Sequence, residues 1–228
     1  MHDRVLLITG ASSGIGAATA RAAAREGYQL VLAARSADKL TSLAQELGPE
    51  NVLTCEVDVT DLSQQQAMVE QAIETFGHID AVFANAGRGG SPGGFSSADH
   101  DAWREMILTN VYGVGLTLQA CLPELKRRQG HILLTGSAAG RTTIPGSMYS
   151  ATKWAVTGIG YNLREELRGT GMRVTLIEPG MVDTPFFDEP PEYALADRDI
   201  ANAVIYALSQ PPHVDVNEIL VRPTPPRE

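Results

Sequence analysis

Short apolar runs alternate along this chain with longer segments of helical spacing. Runs near 4–9, 28–34, 51–57, 79–85, 130–136, 172–178 and 216–222 predict strands, and segments near 14–26, 37–47, 61–76, 100–128, 149–169 and 198–209 predict helices. The strand runs are continuously apolar, as in Val5-Leu-Leu-Ile8, which is the pattern of strands buried on both faces of a parallel sheet. Strand-helix alternation with right-handed crossovers gives an α/β architecture, a doubly wound seven-stranded parallel sheet flanked by helices, with ligands at the carboxyl ends of the strands. Ser36, Asp61, Asp99 and Asp199 are placed to start helices, and Gly27, Gly48, Gly77 and Gly171 to stop them. Pro190-Pro191, Pro211-Pro212 and the stretch Pro223 to Pro226 read as loop, turn and tail.

No shift of composition and no Ser/Gly/Pro linker divides residues 1–228, so one domain is expected. With 18 basic and 27 acidic residues the net charge is -9, which argues against nucleic acid or an anionic membrane surface as a partner. The one basic run, Lys126-Arg127-Arg128, closes a predicted helix and reads as its solvated end. Neither a charged-then-apolar leader nor a run of 18 apolar residues appears, so a cytoplasmic protein is expected. Cys55 and Cys121 lack C-x-x-C spacing and are expected as buried, reduced thiols. Asp99-His100-Asp101 has no second ligand pair at useful spacing, so it reads as loop or helix cap and no metal is expected.

Two segments carry candidate chemistry. The first strand runs directly into Thr9-Gly10-Ala11-Ser12-Ser13-Gly14-Ile15-Gly16 and then an Ala-rich helix. A strand, a glycine turn and a helix N-terminus present free N–H groups and a positive dipole end, which suits a pyrophosphate. The second is Tyr149-Ser-Ala-Thr-Lys153, twelve residues after Ser137. On a helix the four-residue spacing stacks phenol and ammonium on one face, so Lys153 is expected to pull the Tyr149 pKa below its usual value of about 10.

With Asp58-Val59, Asn85-Ala86-Gly87, Asn110 and Pro179-Gly180-Met181-Val182-Asp183-Thr184, these segments resemble the short-chain dehydrogenase/reductase family, in the family's order and over nearly the whole chain. Only the Ser137–Tyr149 interval departs, being one residue shorter, within the Gly140 to Gly146 loop. The resemblance implies a Rossmann fold and a nicotinamide cofactor. Gly10, Ser12, Ser13, Gly14, Ile15 and Gly16 would surround its phosphates, Asp58 and Val59 the adenine, Asn85, Ala86 and Gly87 the adjoining ribose, and Pro179, Gly180, Val182 and Thr184 the nicotinamide side. An NAD enzyme would carry Asp or Glu at the end of the second strand, where Ala34, Arg35 and Ser36 stand instead. Arg35 and Ser36 can hold a 2′-phosphate, which points to NADP(H).

For the reaction the resemblance implies that Tyr149 exchanges a proton with the substrate oxygen, Ser137 hydrogen-bonds that oxygen, and Lys153 tunes Tyr149 and grips the nicotinamide ribose. Asn110 would hold a water linking Lys153 to solvent. The expected activity is hydride transfer between NADP(H) and a small or medium carbonyl or alcohol. Two alternatives are a 3-oxoacyl-carrier-protein reductase and a non-catalytic NADP-binding regulator. Retention of both Ser137 and Tyr149 speaks against the regulator. The ending Arg222-Pro223-Thr224, where carrier-protein reductases show paired glycines, looks more similar to NADP-dependent alcohol dehydrogenases of small hydroxy compounds and clavulanate-type aldehydes. Segment 185–198 would form the lid over the substrate, its Phe186, Phe187 and Tyr193 apolar and its Asp188, Glu189, Glu192 and Asp197 making an acidic rim. A homodimer or homotetramer is expected through Trp103, Met106, Ile107, Trp154, Ile159 and Tyr161 on the two long helices.

Overall fold

The computed structural model describes residues 4–90, 92–187, 189 and 191–224; Asp188, Pro190 and the tail residues Pro225 and Pro226 lie outside the described residues. Seven strands form one parallel sheet: β1 (Val5–Thr9), β2 (Gln29–Ala34), β3 (Val52–Glu56), β4 (Ala81–Ala84), β5 (His131–Thr135), β6 (Arg173–Pro179) and β9 (Glu218–Val221). Their order across the sheet is β3-β2-β1-β4-β5-β6-β9. The chain winds outward in both directions from the β1–β4 junction, so a crevice opens at the carboxyl ends of those two strands.

The unbroken apolar run of β1 is explained by the two cores it serves. Val5 and Leu7 enter one cluster, with Met68, Val69 and Ala72 of α3 (Leu62–Phe76), Leu118 and Leu125 of α6 (Gly113–Arg128), and Val156 of α7 (Met148–Glu166). Leu6 and Ile8 enter the other, with Ala17, Ala20 and Ala23 of α1 (Gly14–Arg25), Leu40 and Leu43 of α2 (Ala37–Leu47), and Ile200 and Val204 of α8 (Asp197–Ser209). Each fully buried Leu or Ile contributes roughly 1.5–3 kcal/mol.

Several local expectations are corrected. The segment 100–128 is not one regular helix: α5 (His100–Ile107) and α6 are joined by a π-helical turn at Leu108–Tyr112, and a short α4 (Gly94–Ser97) precedes them. By length and mean hydropathy His100–Arg128 is apolar enough to cross a membrane, although it holds no run of 18 apolar residues, and its Val114, Leu118, Cys121 and Leu125 are buried in the core. Helix α8 begins at Asp197, two residues before the expected Asp199, whose carboxylate accepts from the Ala196 N–H at 2.9 Å. The basic run is not merely solvated: Lys126 pairs with Glu166, Arg127 with the buried Glu124, and Arg128 with Asp80. Asp61 and Asp99 do cap their helices, and Gly77 terminates α3 in the left-handed conformation. Asp99, His100 and Asp101 lie within 4.8 Å of one another, all exposed, with Asp99 engaged as that cap. Both cysteines are free and buried, and burial pushes their thiols up to about 11 for Cys55 and about 12 for Cys121.

One buried group makes stability depend on pH. His131 opens β5, where Thr175 Oγ1 donates to the Val216 carbonyl and therefore accepts from His131 Nε2 at 2.8 Å. The ring's Nδ1 is left without a partner in the interior. Burial, with the Arg173 charge nearby, lowers the His131 pKa to about 3. The unfolded chain therefore takes up this proton first as pH falls below about 6.5, and the neutral ring's contribution is lost progressively from there toward the folded value. Between pH 6.5 and 5 the loss should reach about 2 kcal/mol, at about 1.4 kcal/mol per pH unit. Denaturant unfolding of His131→Gln should show a correspondingly flatter acid limb; an unchanged slope would rule out this assignment.

Candidate active site

The crevice at the strand ends is built by glycines that bring backbone segments into contact. Gly10 follows β1 with φ +66°, and a Cβ there would lie 2.8 Å from the Cα of Ala86. At Gly16 an added Cβ would lie 2.3 Å from the Gly10 carbonyl oxygen, so the turn closes only without a side chain. Helix α1 then starts with no acidic residue in its first turn and with Ser13 making no side-chain cap bond. Its first N–H groups and dipole end face the crevice without an internal anion, an arrangement that fits the pyrophosphate of a dinucleotide.

Asn85 locks this turn to its neighbours. Its Nδ2 donates to the Thr9 and Gly10 carbonyls at 3.1 and 3.4 Å, its Oδ1 accepts from Thr135 Oγ1 at 3.1 Å, and Thr9 Oγ1 accepts the N–H groups of Asn85 and Ala86, both at 3.1 Å. Three strand ends, β1, β4 and β5, are thereby held together by one amide and two hydroxyls. Sequence reasoning missed Thr9 and Thr135; a Thr ending each strand was the available signal.

The cleft of about 220 Å³ is lined by Gly10, Ser13, Gly14, Ile15, Asn85, Ala86 and Gly87 on one side. Ser137, Tyr149, Lys153, Pro179, Gly180, Val182 and Thr184 line the other, together with Thr135, Gly136, Pro185, Phe186 and Phe187. Most sequence-predicted site residues thus converge. Ser12 instead borders a separate surface hollow with Lys39 and Ser42. Arg35 and Ser36 are exposed beyond the end of β2, and the Arg35 charge acts on Asp58. The Asp58 carboxylate is held below its usual pKa, first by the Thr60 N–H. Val59 is buried against Gly113.

Ser137 caps the 3-10 turn Ala138–Gly140, its Oγ accepting from the Ala139 N–H at 3.0 Å and donating to the Pro179 carbonyl at 3.4 Å. Its hydroxyl also lies close enough to the Tyr149 phenol to act on that group's ionisation. Helix α7 is started by Ser147, whose hydroxyl accepts from the Ser150 N–H, and it brings Tyr149 and Lys153 to one face. The Lys153 ammonium lies 5.7 Å from the Tyr149 ring centroid and donates to the Thr135 carbonyl at 2.8 Å.

The expected direction of the Tyr149 shift is corrected here. Burial raises the Tyr149 pKa, opposed only by the Ser137 hydrogen bond, and burial lowers Lys153 to about 8. Removing both groups from water penalises phenolate and ammonium alike, and the Lys153 ammonium is turned to a carbonyl rather than to the phenol.

Asn110 lies in the π turn, not in a regular helix interior. Its Oδ1 accepts from the Arg88 N–H at 2.9 Å, and its Nδ2 donates to the Arg88 carbonyl and to Thr152 Oγ1 at 3.0 and 3.1 Å. The side chain is therefore committed to the chain segment after Gly87. A Cβ on Gly87 would meet both Asn110 Oδ1 and Lys153 Nζ, so the two residues converge there.

Phe186 and Phe187 close the outer end. Phe186 meets Tyr149 edge-on at 5.6 Å and Phe187 at 5.1 Å between centroids. Tyr193 is exposed with φ 56° and does not reach the cleft, and Asp197 opens α8 near the Arg21 charge instead of contributing to a rim. Residues Val182–Asp183 (β7) and Leu195–Ala196 (β8) pair at the base of this segment.

Comparison with known proteins places these features in a recognised group. Residues 4–193 match the short chain dehydrogenase family. An oxidoreductase of Staphylococcus haemolyticus is 41% identical, with 98% of each chain covered. An alcohol dehydrogenase of the archaeon Thermococcus sibiricus, solved in complex with 5-hydroxy-NADP, superposes with a TM-score of 0.90 at 36% identity over 99% of both chains. Serine dehydrogenase of Escherichia coli gives a TM-score of 0.87 at 32% identity, covering 95% of this chain and 96% of that one.

Proposed function

The chain belongs to the short-chain dehydrogenase family, and from that premise we propose that it is an NADP(H)-dependent oxidoreductase interconverting a small or medium, uncharged carbonyl compound and its alcohol. The observation that carries the reading is that the Ser137 and Tyr149 hydroxyls line the same cleft as the glycine turn and the α1 N-terminus. A protein that only senses a dinucleotide has no use for that pair.

The phosphates would be held by the N–H groups at Ser13 to Gly16, the adenosine end by Asp58 and Val59, and the 2′-phosphate by Arg35 and Ser36. When bound, NADPH supplies the hydride and NADP+ accepts one. Ser137 donates a hydrogen bond to the substrate oxygen as negative charge grows there. Tyr149, whose pKa burial raises still further from neutral pH, gives that oxygen its proton. Lys153, beside Gly87 and Thr135, would grip the nicotinamide ribose and return the proton to Tyr149. Asn110, whose side chain is committed to Arg88 and Thr152, would hold the water that links Lys153 to solvent.

Substrate charge follows from the lining. Among the described residues around the cleft, only Tyr149 and Lys153 are ionisable. A carboxylate or phosphate on the substrate would find no free cation there, and the exposed Glu189 and Glu192, which follow Phe187 in the chain, would add repulsion. The test is NADPH oxidation, comparing kcat/KM for free aldehydes and ketones with that for a carrier-protein-linked 3-oxoacyl substrate. Free carbonyl compounds should be preferred; a clear preference for the carrier-linked form would replace this reading with the carrier-protein reductase.

Self-association would use the outer faces of α5, α6 and α7. Of the side chains singled out from sequence, Met106 is buried in the protein's own core, but Ile107, Trp154 and Tyr161 are exposed, joined by Tyr112. Light scattering at micromolar concentration should give a multiple of 24.4 kDa, and a mass of one chain alone would eliminate the oligomer.

A further inference from the structure

Behind the Ser137 turn lies a charged cluster with no assigned role. Arg141 follows the turn directly. Its Nε donates to Glu178 Oε1 at 2.7 Å, its Nη2 lies 2.6 Å from Glu218 Oε2, and its Nη1 donates to the Tyr161 hydroxyl at 3.0 Å. Tyr161 in turn hydrogen-bonds Glu218. One guanidinium therefore joins the turn after β5 to β6, β9 and α7.

Glu178 is only 1% exposed, and burial raises its pKa in spite of Arg141. The residue after it is Pro179, whose carbonyl accepts from Ser137 Oγ and from which the loop toward Thr184 departs. At Gly136 an added Cβ would lie 3.0 Å from Glu178 Cγ, so the backbone before Ser137 packs against this carboxylate. On its other side the turn rests on α7: Ser150 Oγ donates to the Ala139 carbonyl at 2.7 Å, and a Cβ on Gly140 would lie 2.7 Å from the Lys153 carbonyl oxygen. The segment carrying Ser137 is thus clamped between the helix of Tyr149 and the strand that opens the nicotinamide-side loop. A buried ion pair gives little net stability over an apolar pair of the same volume, whereas its fork geometry fixes orientation.

We propose that Arg141 is a positioning residue: through the buried Glu178 and through Glu218 it sets the Ser137 hydroxyl relative to Tyr149 and to the Pro179 loop. This rests on the oxidoreductase reading above. Lysine at 141 would keep the charge but would lack the planar fork that reaches two carboxylates and the tyrosine hydroxyl together.

The test compares Arg141→Lys with Arg164→Lys. Arg164 lies in the same cluster but bonds the Val174 and Asn217 carbonyls, away from the Ser137 turn. For Arg141→Lys, kcat should fall by about tenfold or more, as small displacements of reacting groups do, with the substrate KM and the NADPH dissociation constant moving less than about threefold. Amide exchange should quicken over residues 137–141 and stay unchanged in α1. Arg164→Lys should keep its kcat. If Arg141→Lys retains kcat, or if both variants lose kcat in proportion to their fall in Tm, the positioning role is overturned. Should Arg141→Lys fail to fold, Glu178→Gln, which keeps volume and an acceptor oxygen, is read by the same outcomes. Failure of the unmodified protein to oxidise NADPH with any carbonyl compound would instead remove the oxidoreductase reading, and the exchange comparison would still decide whether Arg141 orders the turn.

Discussion

Replacing Tyr149 by phenylalanine should lower turnover by about a hundredfold or more while leaving NADPH binding nearly intact, because loss of a positioned general acid typically costs 10²–10⁴ in rate. The ring itself is held by packing, including the edge-on contact with Phe186 at 5.6 Å, and phenylalanine keeps that contact. What disappears is one hydroxyl and its interaction with Ser137. Because that hydroxyl is protonated at neutral pH and burial disfavours its ionisation further, its contribution should be largest for carbonyl reduction. Steady-state rates and a fluorescence titration with NADPH separate the two effects. A variant that reduces every active substrate at near-normal rates would show that the proton comes from elsewhere.

That prediction depends on an electrostatic state the sequence could not supply. The Tyr149–Lys153 spacing is local, and it correctly places both side chains on one face of α7. The sign of the Tyr149 shift is set by how much protein covers the phenol and by where the ammonium finds its acceptor, Thr135, eighteen residues earlier on β5. Neither is written in a four-residue spacing. The strands were legible for the opposite reason: a run such as Val5-Leu-Leu-Ile8 must be buried on both faces wherever it folds, and two clusters receive its alternate side chains.

The same contrast separates the two sides of the cleft. The glycine turn is readable because Gly10 and Gly16 are required by contacts within seven residues and by the Asn85–Ala86 segment that follows a recognisable strand. The Arg141 cluster is not, since Glu178 lies 37 residues and Glu218 lies 77 residues further along the chain, and β9 joins β6 only in the folded sheet. The π turn at Asn110 escaped for a related reason. Its apolar periodicity continues through Leu108–Tyr112, and the widened turn coincides with the bonds that tie Asn110 to Arg88 and Thr152.

Arg35→Ala should weaken NADPH binding by roughly ten- to a hundredfold and leave NADH nearly unaffected, since a charged hydrogen bond to a phosphate is typically worth about 1.5–3 kcal/mol. The argument starts from Ala34, which stands where an acidic side chain would hold a ribose 2′-hydroxyl and repel a 2′-phosphate. Arg35 is exposed at the strand end, and Asp58, on which its charge acts, is bonded to the Thr60 N–H and hydroxyl at 2.9 and 2.8 Å. The guanidinium is therefore available to a phosphate, flanked by Ser36 at the start of α2, whose hydroxyl makes no cap bond to that helix. Ser13 in the glycine turn adds no charge, so no second cation in that turn backs up Arg35. The effect should appear almost wholly in the dissociation constant for the phosphorylated nucleotide and should shrink as salt is added, because the contact is solvent-exposed. Titrating the unmodified protein and Arg35→Ala with both nucleotides measures it. If the unmodified protein binds NADH as tightly as NADPH, the end of the second strand does not select the cofactor.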